Sequence, residues 1–332
     1  MVTIREVAKA AGVSVATASR ALNGLTNVTQ ETRVKIEATA EKLNYIPHSG
    51  ARSLTRQRTD TIGVILPDLF GEFFSEMIRG IDDIVHGAGK NLLLGNMHGS
   101  AEETVQAIRA MRGRVDGLLV MPPNSRADSI DNGSAHHIPT VLLNAPASDG
   151  RTPWVTVDHY AGARLVMEHL VDRGAQRIVH VAGPEGNRDS AERKRAYCDV
   201  LQERLAGAEP IVIQGDFREE SGRQAARHLL DKAIEFDAVF AANDLMALDL
   251  MVELRNAGVE VGRDFLLAGF DDIPLARYVT PQLTTVHSNI SLLGSSAAQL
   301  LLRMLGGETL GAEDALQLTP TLEVRGSTTG GS

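Results

Sequence analysis

Along residues 3–23, TIREVAKAAGVSVATASRALN, the apolar side chains Ile4, Val7, Ala8 and Ala11 recur on one helical face before Gly12 interrupts the run. Thr3-Ile4-Arg5-Glu6 has the order of a capping box, so a first helix is predicted to begin at Ile4. Gly12 is placed to end it, because glycine takes positive φ without steric cost. Ser14 is placed to cap a second helix through Ala16, Thr17, Ser19 and Arg20. Two short helices around a glycine corner make a helix-turn-helix, whose second helix is a candidate reader of a DNA major groove; the same spacing also suits an ordinary packed helix pair. A third helix is predicted over 31–43, with Val34, Ile36, Ala38, Ala40 and Leu43 on its apolar side and Tyr45 at the edge of the core. Three helices of about 45 residues enclose a core of marginal size, which a partner would help to stabilise.

From residue 61 the pattern changes to short apolar strands alternating with helices. Strands are predicted at 62–66, 91–94, 117–120, 140–143 and 155–157, with helices at 73–86 and 102–111. A second set runs helix 161–172, strand 177–181, helix 191–206, strand 211–213, helix 221–231, strand 238–240, helix 245–256, strand 266–269. That order indicates parallel sheets covered on both faces, in two similar α/β lobes. Polar residues collect where the strands end: Asp68, Asn144, Asp158, Asn243, Asp244, Asp271 and Asp272. Such ends, facing a cleft between lobes, are the usual place for a small ligand, although each of these residue types also caps helices and turns loops.

A chain of 332 residues with 43% hydrophobic and 23% charged residues has the make-up of a globular protein of two or three domains. Its net charge of -9 argues against nucleic acid until it is divided along the chain. Residues 1–60 hold nine Lys/Arg and five Asp/Glu, +4, while the remainder holds 24 and 37, -13. Only the small basic head has the sign that meets phosphates. The single cysteine, Cys198, leaves no internal disulfide and points to a reducing compartment and a packed thiol. No apolar run has membrane-spanning length and no signal-peptide core opens the chain, so cytoplasmic residence without a membrane partner is expected. The Gly-Ser-Thr-rich stretch 326–332 reads as a disordered tail.

An enzyme of the same α/β class would carry a recognisable chemical motif. The chain has no GxGxxG turn, phosphate-loop lysine or GxSxG elbow, and its histidines, the adjacent His136 and His137 included, lack metal-ligand spacing. His98, His159 and His287 read as caps, surface groups or packed residues. Asp271-Asp272 is a carboxylate pair without an identifiable nucleophile. No catalytic residue, metal or cofactor is therefore expected.

The segments IREVAKAAGVSVATASRALNG, ETRVKIEATAEKLNYIPHSGARSL, TIGVILPDL, MIRGID, GDFREESG, FAANDLMALDLM and LLAGFDDIPLARYVTPQLTTV, with Asp158 between them, stand in the order found in the LacI/GalR (lac-repressor) family of bacterial transcription regulators. The chain resembles that family as far as Arg325. The resemblance implies an N-terminal three-helix helix-turn-helix domain at 1–46, a hinge helix and linker at 47–60, and a two-lobed, periplasmic-binding-protein-like body with parallel sheets at 61–325. Lobe 1 would comprise 61–158 and 290–316, and lobe 2 161–286 and 317–325.

By the same resemblance, Val15, Ala16 and Arg20 read the major groove, and Leu54, beside Ala51, is a wedge in the minor groove. Thr3, Ser14, Thr17, Ser19, Asn23 and Thr29 are expected on the DNA backbone. Effector contacts carried over from the family fall on Phe73, Phe74, Asn144, Ala145, Asn187, Asp189, Arg193, Phe217, Asn243 and Asp271, joined by Asp68 from the strand-end pattern. These amides, carboxylates, aromatic rings and one guanidinium suit a neutral sugar or polyol. The family's small polar and proline turn after the first strand is replaced by Leu69-Phe70-Gly71-Glu72, so Phe70 and Glu72 are expected to reshape the mouth of the pocket. Trp154 is expected to pack beside the cleft. The implied protein is a homodimeric, allosteric repressor of double-stranded palindromic operator DNA, most simply induced by a sugar. The alternatives are a corepressor-type response to another metabolite and a solute-binding protein without an operator. A tetramer is not expected, since no leucine-heptad tail follows Arg325.

Overall fold

The computed structural model describes residues 2–23, 27–45, 58–123, 138–146 and 151–330. Ala51, Leu54, His136 and His137 lie outside the described residues. The chain divides into two compact units, Met1–Asp60 with Gly113–Val115, and Thr61–Arg112 with Asp116–Ser332.

In the first unit, α1 (Ile4–Ala11), α2 (Val15–Leu22) and α3 (Gln30–Lys42) surround a core of Val7, Ala8, Ala11, Ala18, Ala21, Ile36 and Ala40. The Glu6 carboxylate accepts from the Thr3 backbone N–H (2.7 Å) and hydroxyl (3.0 Å), satisfying donors that precede the first turn. Gly12, at φ 68°, turns the chain so that the Val13 N–H reaches Ala8 O at 3.0 Å. Ser14 Oγ accepts from the Thr17 N–H at 3.0 Å and caps α2. Arg33 ties α3 to α2 by donating to Ala21 O at 3.2 Å. Tyr45 packs half-buried against this core. Val34 and Ala38, expected on the buried side of α3, are exposed: each lies two residues from Ile36 or Ala40, which places it across the helix from them.

The second unit contains two α/β lobes. Lobe 1 runs β1 (Thr61–Leu66), α4 (Glu72–Gly87), β2 (Asn91–Asn96), α5 (Ala101–Met111), β3 (Gly117–Val120), β4 (Thr140–Leu143) and β5 (Trp154–Val157). Lobe 2 runs α6 (His159–Asp172), β6 (Ile178–Ala182), α7 (Arg188–Arg204), β7 (Ile211–Gln214), α8 (Glu219–Asp231), β8 (Ala238–Ala241), α9 (Asp244–Asn256), β9 (Leu266–Asp271) and β10 (Thr284–His287). The chain then returns to lobe 1 through α10 (Ile290–Leu305) and β11 (Leu316–Leu318), and to lobe 2 through β12 (Thr321–Glu323) and α11 (Gly326–Thr329). The sheet orders are β11-β5-β4-β3-β1-β2 and β12-β10-β9-β8-β6-β7, parallel except where β12 meets β10. Position by position the two lobes repeat one topology, save that the edge strand β11 is parallel to its neighbour and β12 antiparallel.

In lobe 1, α4 and α10 cross at glycine contacts. A Cβ on Gly80 would lie 2.1 Å from Ser291 O, and one on Gly294 2.4 Å from Met77 O, so this approach excludes any larger residue. Around it, Ile62, Val64, Leu66, Met77 and Ile81 form the lobe's buried core.

Three sequence expectations change. The final crossing falls after Leu318, because Leu316–Leu318 pairs with Val155–Val157; residues 317 and 318 therefore belong to lobe 1. β10 was not predicted, since Thr284-Thr285-Val286-His287 is not an apolar run; its hydroxyls are satisfied internally, Thr284 Oγ1 donating to Arg325 O at 3.0 Å. The expected tail instead begins with α11, in which Ser327 and Thr328 are fully buried. Ser327 Oγ donates to Leu267 O (2.6 Å) and accepts from the Thr284 N–H (2.7 Å), and Thr328 Oγ1 hydrogen-bonds His169 Nε2 at 2.8 Å. Small polar residues suggested solvation, but here their hydroxyls join β9, β10 and α6.

Among the described residues no helix is long and apolar enough to cross a membrane. Ser327→Ala leaves a buried N–H and a buried carbonyl without their partner, so it should cost about 1–3 kcal/mol. A urea unfolding curve should show a lower midpoint; an unchanged midpoint would mean that α11 contributes nothing to the body.

Candidate functional site

The parallel strands of both lobes point their C-terminal ends at the space between the lobes, where the order reverses between β1 and β3 and between β6 and β8. A cavity of about 610 Å³ lies there. Asp68, Phe73 and Phe74 line it from the β1–α4 turn, and Asn144 from the end of β4. Asn187, Asp189 and Arg193 line it from the start of α7, Phe217 from the turn after β7, Asn243 from the cap of α9, and Asp271 from the end of β9.

A buried polar chain crosses this cleft. Asn144, in lobe 1, donates through Nδ2 to Asp189 Oδ2 of lobe 2, and its Oδ1 accepts from Thr156 Oγ1 at 3.2 Å. His159 Nε2 lies 3.0 Å from Asn144 Oδ1 and 3.3 Å from Asp189 Oδ1, while its Nδ1 lies 3.1 Å from Arg193 Nη2. A guanidinium only donates, so Nδ1 carries the lone pair and the proton sits on Nε2. Burial and the charge of Arg193 hold the His159 pKa well below its usual value, consistent with this neutral tautomer.

Arg193 is fixed from three sides. It donates through Nη1 to Ala242 O, lies 3.6 Å from Asp271 Oδ1 as an ion pair, and stacks over the Phe270 ring at 3.7 Å. Phe217, at φ 70°, lies 5.5 Å away on the guanidinium; Gly183 allows this ring position, since a Cβ there would come within 2.3 Å of it. No hydrogen bond from the described residues reaches Arg193 Nε or Asp271 Oδ1. Burial pushes the Asp271 carboxyl up to about 7, with Arg193 opposing and Asp189 reinforcing the rise. Arg193 Nε and Asp271 Oδ1 are closed to solvent, while the Arg193–Asp271 pair as a whole stands on the cavity wall as a donor beside an acceptor.

Several predicted residues have a second duty. Asn187 and Asn243 cap α7 and α9, accepting from the Ser190 (2.9 Å) and Met246 (3.0 Å) N–H groups. Asp68 Oδ1 accepts from the N–H groups of Leu69 (2.7 Å) and Phe70 (3.1 Å), and Oδ2 faces Arg218 of lobe 2 at 3.6 Å. Phe70 lines the mouth, but Glu72 does not: its carboxylate crosses to the Leu275 N–H at 3.1 Å. Ala145 is buried and is not among the lining residues. Asp158 caps α6, Asp244 accepts from Thr285 Oγ1 (2.5 Å) and the Ile273 N–H (2.9 Å), and Asp272 turns to Arg277, His287 and Arg325. Trp154 stands at the first residue of β5, the end opposite the cleft.

Sequence reasoning missed the central place of His159, which it read as a cap or packed residue. It also passed over Asp216, Arg218 and Glu219 on the cavity wall. The signal that could have found them is positional, because each βα turn of either repeat ends at the cleft. Among the described residues, no group of three or more His, Cys, Asp or Glu is arranged to hold a metal.

In the first unit, Val15 and Ala16 open α2 and are exposed, and Arg20 is exposed one turn beyond Ala16. Thr3, Ser14 and Thr29 are exposed; Thr17 and Ser19 are half-buried. Asn23 is buried, and its amide donates to Ser19 Oγ at 3.3 Å.

Residues 3–48 match the family described as bacterial regulatory proteins, lacI family, and residues 167–328 match a periplasmic binding protein-like domain. The catabolite control protein A of Priestia megaterium is 33% identical over 330 residues, covering 98% of this chain and 99% of that protein. The ribose operon repressor of Escherichia coli (strain K12) is likewise 33% identical, over 98% of this chain and all of its own length, 100%. A crystal structure of the lac repressor dimer bound to operator and the anti-inducer ONPF superposes with a TM-score of 0.87 at 28% identity, covering 98% of this chain and 99% of that one. The chain is a DNA-binding, effector-controlled transcriptional regulator by class. It belongs to the LacI family of bacterial regulatory proteins.

The buried carboxyl at Asp271 gives the cleft a pH signature. Its pKa in the fold lies above the ordinary carboxylate value, so its contribution to stability is full at low pH and is lost as pH rises through about 7. Asp271→Asn removes that loss. Between pH 5 and 8 the thermal midpoint of the unliganded protein should fall further in the parent than in the variant. The difference should be a few degrees, as 1 kcal/mol moves the midpoint of a domain this size by roughly 2–4 °C. Parallel midpoint curves would show that Asp271 is not the titrating group.

Proposed function

We propose that the protein is a homodimeric repressor of a near-palindromic operator, and that a neutral sugar in the interlobe cleft lowers its operator affinity. The observation that carries the effector reading is the buried Arg193–Asp271 ion pair on the cavity wall, a donor beside an acceptor. Vicinal hydroxyls both donate and accept, and so satisfy such a pair, while Phe73, Phe74 and Phe217 offer ring faces to the apolar side of a pyranose. The carboxylates of Asp68, Asp189, Asp216 and Asp271 on the same wall disfavour an anionic effector. The names of the ribose operon repressor and the operator-bound lac repressor dimer agree with the sugar and the dimer.

On DNA, Arg20 would donate bidentately to guanine O6 and N7, and Val15 and Ala16 would make apolar contact such as that with a thymine methyl. Thr3, Ser14, Thr17, Ser19 and Thr29 would hold phosphates, with Asn23, turned inward onto Ser19, supporting that edge. Leu54 and Ala51 would enter the minor groove at the centre of the site. Two heads on one dimer match two half-sites. The sugar acts because it prefers one lobe arrangement, so the same free-energy difference that favours its binding disfavours the operator.

A thermal-shift screen of sugars, followed by operator titration at fixed salt with each hit, tests this reading. A hit that weakens operator binding supports it. Tightening by the hit would make the ligand a corepressor, and no effect from any hit would remove the sugar from the mechanism. On the DNA side, Arg20→Ala should cost ~1–3 kcal/mol of discrimination at one guanine per half-site. Equal weakening on operator and scrambled DNA would assign Arg20 to the backbone instead.

A further inference from the structure

The cavity extends beyond its buried polar end. Asn144, Asp189, Arg193 and Asp271, all at most 6% exposed, gather at one place, and one pyranose would occupy them. The volume of about 610 Å³ falls within the roughly 300–1,000 Å³ of pockets that take ligands larger than a single sugar ring. Its remaining wall includes Asp68, Phe70 and Arg218 at the mouth.

Phe70 is the unusual member. Its side chain lines the cavity although the residue is 72% exposed. Scattered exposed apolar residues are ordinary, but this one stands on a turn whose backbone is held. Asp68 Oδ1 accepts from the Leu69 and Phe70 N–H groups, and Gly71, at φ 93°, turns the chain directly into α4. The other Asp68 oxygen faces Arg218 from the opposite lobe at 3.6 Å. The mouth therefore combines an aromatic face, a carboxylate acceptor and a guanidinium donor, contributed by both lobes.

We propose that this outer end is a second sugar subsite and that the effector is a neutral disaccharide. Its inner ring meets Arg193 and Asp271; its outer ring lays an apolar C–H face on Phe70 and directs hydroxyls to Asp68 and Arg218. The proposal rests on the sugar reading above and adds the length of the ligand and the residue that selects it. Phe70 is a specificity-determining residue here because it meets only the second ring.

Isothermal titration of the full chain with glucose, galactose and fructose, and with maltose, cellobiose, lactose and sucrose, tests it. At least one disaccharide should bind about tenfold or more tightly than either of its component monosaccharides. Phe70→Ala should remove about tenfold from that disaccharide and leave a component monosaccharide within about twofold, while Phe70→Trp keeps the preference. Because Phe70 is exposed, the thermal midpoint of each variant should match the parent. A monosaccharide bound as tightly as every disaccharide, or equal losses for both in Phe70→Ala, would overturn the outer subsite and leave the sugar reading in place. Failure of all seven sugars to bind would overturn both.

Discussion

The amide of Asn144 is the contact on which the effector body turns. It stands at the end of β4 in lobe 1, at φ 54°, a conformation that asparagine tolerates better than most residues. Its two ends reach Asp189 and His159, both of lobe 2. Every member of the chain then has a defined role: His159 donates from Nε2 and accepts at Nδ1, and Arg193 donates to His159 and to Ala242 O. A network so deeply buried has few satisfactory geometries, because an unmade hydrogen bond there has no water to replace it. Relative movement of the lobes must break or remake these bonds. A ligand that touches Arg193 and Asp271 acts on the same set.

The fold supplies the leverage. Duplicated topology places both switch points at one cleft, and the chain crosses between lobes three times, after β5, after β10 and after β11. The crossings are tied to their surroundings: the Asp158 N–H donates to Leu318 O at 3.0 Å, and Ser288 Oγ to Asp271 O at 3.3 Å. Asp272, next to the cavity-lining Asp271, anchors the lobe-2 side. Burial alone would push its carboxyl up, but hydrogen bonds from Arg277, Arg325 and His287 outweigh that and hold it below the usual range. Adjacent aspartates thus divide the work, one facing the cleft and one holding the strands behind it.

Helix and strand periodicity made much of this legible from residues alone. The capping box at Thr3, the corner at Gly12 and most strands of both lobes follow from local pattern, since each is stabilised by neighbours in sequence. The misses share a cause. β10 and α11 are short, hydroxyl-rich segments whose partners are about forty residues or more away, so composition read them as loop or tail. His159 reads as an ordinary residue at a helix start until Asn144, Asp189 and Arg193 are brought around it. Val34 and Ala38 are apolar but face away from the small alanine core. At the site, residue types at strand ends identified the cleft wall, but not which aspartate turned inward.

The proposed regulation requires that occupation of the Arg193–Asp271 end of the cleft weaken the grip on DNA. Its most direct test is operator affinity of Asp271→Asn, at fixed salt, with and without a sugar that weakens operator binding by the parent protein. The account predicts that the sugar no longer shifts the variant's binding curve. A variant as responsive as the parent would contradict it.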